Sequence, residues 1–460
     1  MREVPPQKLE STMLEVWPQR FVLHSRDAII TKGVKNYKPL PLCRHDQKGA
    51  ATMISTRIPI SFFVFFPLFF SLTACPDAED ILSLSYEITL NTLIEHDDGQ
   101  FLWFHPRAAS IPSSTPDGQP IVVMTLQKHL QVSDFYSGLY MMRTDDLGKT
   151  WSGPTEIPEL AWRKGPDNTI LSVCDVTPGY HEPTGKLLAI GAQLYYKPDG
   201  NLLNAVDQAD QTAYAVFDCA SGSWTGWQVL KMPAEPKFNF SRNACAQWLV
   251  EADGSLLLPL YFGLNAQEDA SVTVARCRFD GKALTYVEHG TELTLTGGRG
   301  LCEPSLTVYK GRYYLTLRND DRGYITSSAD GLHFDPIRPW CFDDGTDLGS
   351  YNTQQHWITH REALFLVYTR RGANNDHVFR HRAPLFIAQV NPDTLQVLRA
   401  TERILIPERG ATLGNFGASR INAQESWVTV GEGIWNDDIR ARGARGALYV
   451  ARITWSTESN

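Results

Sequence analysis

The stretch Thr144-Asp145-Asp146-Leu147-Gly148-Lys149-Thr150-Trp151 decides how this chain folds. It follows the apolar run Leu139-Tyr140-Met141-Met142 and reads as a tight turn at the end of a β-strand. In such a turn the Asp side chain caps backbone N–H groups, Gly permits a left-handed bend, and Trp packs against a neighbouring sheet. Ser328-Ala329-Asp330-Gly331-Leu332-His333-Phe334 is an echo shortened by one residue. Weaker turns of the same flavour stand at Asp218–Trp224, Phe279-Asp280-Gly281 and Asn391–Thr394. The acidic residues at 146, 218, 280, 330 and 393 recur roughly every sixty residues, the length of one four-stranded propeller blade.

Working outward, residues 86–455 are a succession of short β-type runs broken by Gly, Asp, Asn and Pro. PIVVMTL, KLLAIGAQLYY, SLLLPLYF, RYYLTLR and ALFLVYTR are examples, and no long amphipathic helix interrupts them. About 370 residues at about sixty per blade predict an all-β fold, a six-bladed β-propeller of four-stranded antiparallel sheets. Hydrophobic residues at 43% and charged residues at 20% are enough for one large core. A formal net charge of −8 supplies no basic face, which excludes nucleic acid as a partner. None of the eight cysteines forms a CxxC pair or a Cys/His cluster of metal spacing, so neither a metal nor another cofactor is expected. Six of them fall within 86–455, which allows up to three disulfides.

Ahead of the folded region, Met53 to Cys75 reads MISTRIPISFFVFFPLFFSLTAC, a short basic start, an apolar core and small residues at the end. That is the pattern of a secretory signal, too short for a comfortable membrane span. Leu72-Thr73-Ala74-Cys75 resembles the lipobox of bacterial lipoproteins, which implies an exported cell-envelope protein touching membrane only through a lipid on Cys75; a monomer is expected besides. Residues 1–52 show no sustained periodicity and read as a mis-assigned start ahead of Met53.

The eight-residue turn is similar to the Asp box of the sialidase (neuraminidase) family, and a distant resemblance to that family extends over most of 86–455. The resemblance implies three arginines gripping a carboxylate, a task suited to planar, permanently charged guanidiniums. Arg107 in His105-Pro106-Arg107-Ala108 would be the first and Arg318, closing Tyr314-Leu315-Thr316-Leu317-Arg318, the second. The third comes from Arg370, Arg371, Arg380 or Arg382, of which Arg382 fits best. Asp134 in Ser133-Asp134-Phe135-Tyr136 would be the general acid/base. Glu303 opens a strand whose hairpin, turning at Lys310-Gly311, ends on Arg318, so the two should share one rim.

The chain departs from the family where a tyrosine nucleophile is due. That stretch reads Gly414-Asn415-Phe416-Gly417, and a phenylalanine has no hydroxyl to attack carbon. Tyr136, Tyr351 or His356, the last within Gln354-Gln355-His356-Trp357, would have to act instead. The reading that results is a glycoside hydrolase releasing a terminal acidic sugar, most simply an exo-α-sialidase. Asp134, Glu303 and His356 would be catalytic, and Arg107, Arg318 and Arg382 would bind an acidic glycan. Two alternatives stand beside it. One is a uronate-directed glycosidase or polysaccharide lyase with His356 or His105 carrying protons; the other is a carbohydrate-binding propeller without catalysis.

Overall fold

The computed structural model describes residues 84–456, except 114, 116–117, 204–209 and 267. The signal-like segment with Cys75 and the leading residues 1–52 lie outside the described residues.

Nearly every element is a β-strand, and the sheets follow one another along the chain. Leu102–Ile111, Ile121–His129, Tyr136–Thr144 and Ser152–Glu156 form the first as an antiparallel meander. Cys302–Tyr309, Arg312–Arg318, Tyr324–Ser328 and Arg338–Pro339 form another of the same kind. His356–Thr359, Leu364–Tyr368, Leu385–Asn391 and Gln396–Val397 make a five-stranded sheet with Arg403–Ile406. The final sheet joins the two ends of the described chain: Tyr86–Glu95 pairs with Ala447–Trp455, which pairs with Glu425–Gly431 and then Gly417–Arg420. Such closure removes free edges, as in a β-propeller.

The expectation of six separate four-stranded sheets needs correction, because among the described residues hydrogen bonding gives five sheets, one of them eleven-stranded. Two hairpin units, Ile170–His181 to Gln211–Asp218 and Leu256–Gly263 to Leu284–His289, are merged there by the short strand Phe240–Arg242. It pairs antiparallel with the second unit and touches the first through one parallel pair, Ser241 with Gln211.

The turns show what the acidic residues do. Asp146 accepts from Thr150 N at 2.9 Å, from Thr150 Oγ1 at 2.7 Å and from Thr144 Oγ1 at 2.8 Å. Those bonds, led by the one from the Thr150 hydroxyl, hold its pKa down to about 2. Trp151 packs beside Trp427, ring centroids 5.8 Å apart. Asp330 accepts from Leu332 N and His333 N, and Asp280 from Lys282 N and Ala283 N. In the Asn391–Thr394 turn the capping side chain is Asn391 rather than Asp393. Between sheets the core is apolar: Ala109, Val123 and Leu139 face Leu187, Ala189 and Phe217. Each fully buried Leu or Val there contributes roughly 1.5–3 kcal/mol. The six described cysteines are all free, so the allowed disulfides do not form among them.

Candidate functional site

Three strands, Leu102–Ile111, Ile170–His181 and Cys302–Tyr309, carry the same defect, and that defect builds the site. The pairing register slips between Phe104 and Arg107, between Cys174 and Thr177, and between Cys302 and Ser305. Within these bulges His105, Asp175 and Glu303 take left-handed backbone, with φ of 54°, 56° and 41°. Cys245, in the connection before Leu249–Val250, does likewise at φ 55°. A non-glycine residue held there costs on the order of 1–3 kcal/mol and persists where surrounding structure enforces it. All four side chains line one cavity of about 1210 Å³.

The expected residues divide between this cavity and the layer outside it. Asp134, Glu303, Arg318 and Arg382 line it. Asp134, exposed in its loop, accepts from the Tyr136 hydroxyl at 3.4 Å. Glu303 is ion-paired with Arg318 Nη1, and Arg318 Nη2 donates to Asn352 Oδ1 at 2.8 Å. Burial works against the charge on Arg318, but Glu303 more than offsets it and the pKa rises. Arg382 donates through Nη2 to the Asn352 carbonyl, while its buried Nε has no acceptor. Among the described residues no carboxylate lies within ion-pair distance of Arg382. Burial, helped by the nearby charge of Arg318, lowers its pKa to about 10.

Arg107 and His356 are not on the cavity, contrary to expectation. Arg107 is 1% exposed and reaches the Val176 carbonyl at 3.5 Å, with Nε and Nη2 unpartnered. The bulge sends its neighbour His105 into the cavity instead. His356 is 1% exposed, tied by Nδ1 to Ser305 Oγ at 2.8 Å and by Nε2 to the Phe416 carbonyl at 3.1 Å. It holds neighbouring sheets together and cannot reach a ligand in the cavity. Phe416 is fully buried, and Tyr351 spends its hydroxyl on His381 Nδ1 at 2.6 Å. Of the other candidates for the third arginine, Arg370 is paired with Glu402 at 2.7 Å, Arg371 lies over Tyr351 and Arg380 lines the cavity, which Arg242, Arg299 and Arg442 line as well.

Burial and the Arg107 charge lower the His356 pKa to about 3; burial and His105 lower that of His129 to about 4. Both stay neutral in the fold, whereas each takes up a proton below about 6.5 when unfolded. The unfolded state therefore binds more protons from about 6.5 downward, and stability falls as pH drops through that window. Each histidine should contribute up to about 1.4 kcal/mol per pH unit. Urea denaturation at pH 7 and pH 4.5 checks this, and His356→Gln should flatten the dependence.

His105 and Asp175 were missed as a pair. His105 Nε2 stands 3.0 Å from Asp175 Oδ1, an ion-pair contact without hydrogen-bond alignment. Burial pushes the Asp175 pKa up, yet His105 and then Arg107 overcome it and hold the carboxyl below its ordinary range. With Cys245 these residues bring three ligand atoms within 4.8 Å of one another, a donor set suited to zinc. The positive charge of Arg107 acts on both Asp175 and Cys245 and opposes a cation there. At the mouth, Trp435 and Phe379 are 44% and 54% exposed, flat apolar faces of the kind on which sugar rings stack.

The sheets and their closure define an all-β, β-propeller fold. No family model matches the chain, and no curated protein does. Solved structures do. Trypanosoma rangeli sialidase in complex with the inhibitor DANA superposes with a TM-score of 0.54 at 13% identity, over 79% of this chain and 59% of that one. The Hadza microbial sialidase Hz136 gives 0.52 at 13% identity, over 78% and 67%. Phage phi92 endosialidase gives 0.51 at 10% identity, over 82% and 70%. This chain thus spans less than two thirds of the trypanosomal sialidase, and at such identities the likeness is one of fold.

Proposed function

We propose that the protein is a glycoside hydrolase acting on a terminal acidic sugar, with the sugar carboxylate held between Arg318 and Arg382. The observation that carries this is Arg382 itself: a desolvated guanidinium in a cavity, with an unpartnered Nε and, among the described residues, no carboxylate within ion-pair distance, the charge of Glu303 reaching it only from farther off. Leaving such a charge unpaired costs several kcal/mol, which an anionic ligand recovers. Asp134 at the rim would protonate the leaving oxygen. Trypanosoma rangeli sialidase has been solved with sialic acid, which supports an acidic glycan as the ligand class. We also read the eleven-stranded sheet as two blades fused by Phe240–Arg242, six in all.

The exo-α-sialidase is the simplest member of this class. A uronate-directed enzyme is favoured by one observation, that His105 rather than Arg107 enters the cavity, so an imidazole stands where the first of the three expected arginines was placed. Assays with 4-methylumbelliferyl N-acetylneuraminide and 4-methylumbelliferyl glucuronide, beside neutral glycosides, decide between them. Hydrolysis confined to neutral glycosides, or to none of the panel, overturns the reading.

A further inference from the structure

Phe416 leaves the reaction without the nucleophile its resemblance requires, and the cavity holds several groups that could replace it. Tyr136 and Tyr261 line the wall, but burial raises both phenol pKa values, and Asp134 and Asp175 oppose ionisation of Tyr136 further. The Cys245 thiol is pushed up by burial and by Asp175 in the same way. Glu303 is committed to Arg318, and its other oxygen is buried without a partner. Asp175 differs in its pairing. Its side chain is about as open on the cavity wall as that of Glu303, 18% against 16%, and its Oδ1 is likewise buried without a hydrogen-bond partner. Where Glu303 is held by a guanidinium, Asp175 meets the His105 imidazole at 3.0 Å without hydrogen-bond alignment, and the Arg107 charge favours its ionised form. Its backbone is held left-handed in a bulge that aims the side chain inward.

Building on the glycosidase reading, we infer that Asp175 is the nucleophile of this site, with His105 and Arg107 as positioning residues. A carboxylate oxygen of Asp175 bonds to the anomeric carbon as the glycosidic C–O bond breaks, and the leaving oxygen takes the proton of Asp134. Water then loses a proton to Asp134 and adds to the anomeric carbon, and the Asp175 ester bond breaks. Both carboxylates return to their starting state, and the sugar keeps its anomeric configuration. The imidazole and guanidinium keep Asp175 ionised and available for both displacements.

The test uses the full chain and whichever 4-methylumbelliferyl glycoside it hydrolyses. Asp175→Asn and Asp175→Gly should each lower kcat at least a thousandfold, with proton NMR of the wild-type product showing retention. Glycine suits the left-handed backbone at this position, and sodium azide should restore turnover to Asp175→Gly by forming the glycosyl azide. A fluorinated sugar fluoride matched to the substrate should leave its mass on the peptide containing Asp175. His105→Asn should slow the second displacement and prolong the life of that adduct, which a merely structural role would not do. Inversion, an adduct on Tyr136 or Glu303, or full activity in folded Asp175→Asn overturns the assignment while leaving the glycosidase reading intact. A wild-type chain inactive on the whole panel overturns both.

Discussion

Arg382→Met should weaken binding of the acidic sugar at least a hundredfold while leaving the unliganded protein as stable as before, or more so. The two halves have one cause. A guanidinium with a buried, unpartnered Nε and a pKa brought down to about 10 by burial costs the free protein stability. An apolar side chain of similar length removes that cost. The same substitution removes the group that would meet the ligand carboxylate in a desolvated setting, where loss of one partner costs roughly 2–5 kcal/mol. Calorimetric titration with N-acetylneuraminate and with glucuronate measures the first half, and urea denaturation without ligand the second. A marked loss of stability would mean that Arg382 is already satisfied within the protein. The carboxylate grip would then lose its main support.

What could be read from the chain, and what could not, follows from the same local geometry. Glu303 and Arg318 were legible because a hairpin puts its two outer ends at one rim, and Cys302 does pair with Arg318 across it. Arg382 was legible from its place just ahead of a strand. Arg107 was misplaced because the bulge between Phe104 and Arg107 inserts a residue into the strand and breaks its two-residue alternation. Pro106, which cannot donate to a ladder, is the one sequence sign of that bulge, and it does not say which neighbour turns inward. Asp175 and Cys245 hide for a related reason. Val173-Cys174-Asp175-Val176 reads as a core strand with one stray acid, and only a left-handed turn of backbone shows the acid facing inward.

His356 misleads in the opposite direction. Gln354-Gln355-His356-Trp357 carries groups that bind sugars elsewhere, but here they bind the protein. Gln354 Nε2 donates to the Phe416 carbonyl at 2.8 Å and Gln247 Nε2 to the Trp357 carbonyl at 2.9 Å. Backbone carbonyls without a ladder partner on one side take one from a side chain, and polar residues of this stretch then serve architecture rather than chemistry. The acidic turns were visible in the chain, whereas the joining of two hairpin units through Ser241 and Gln211 depends on one bridge that no repeat records.

Arg318→Ala should behave unlike Arg382→Met, although both arginines face the same cavity. Arg318 is 7% exposed and ion-paired with Glu303, whose second oxygen already lacks a partner. Removing the guanidinium strands a carboxylate in a desolvated wall, and breaking one side of a buried pair costs about 3–5 kcal/mol. The unliganded variant should therefore unfold at markedly lower urea concentration, besides losing the sugar. The double replacement Arg318→Met with Glu303→Leu should recover most of the stability and none of the activity, a strong coupling in a double-mutant cycle. Additive losses would mean that the two side chains are solvated separately. Glu303 would then be free of Arg318, and the reason for preferring Asp175 over it as nucleophile would disappear.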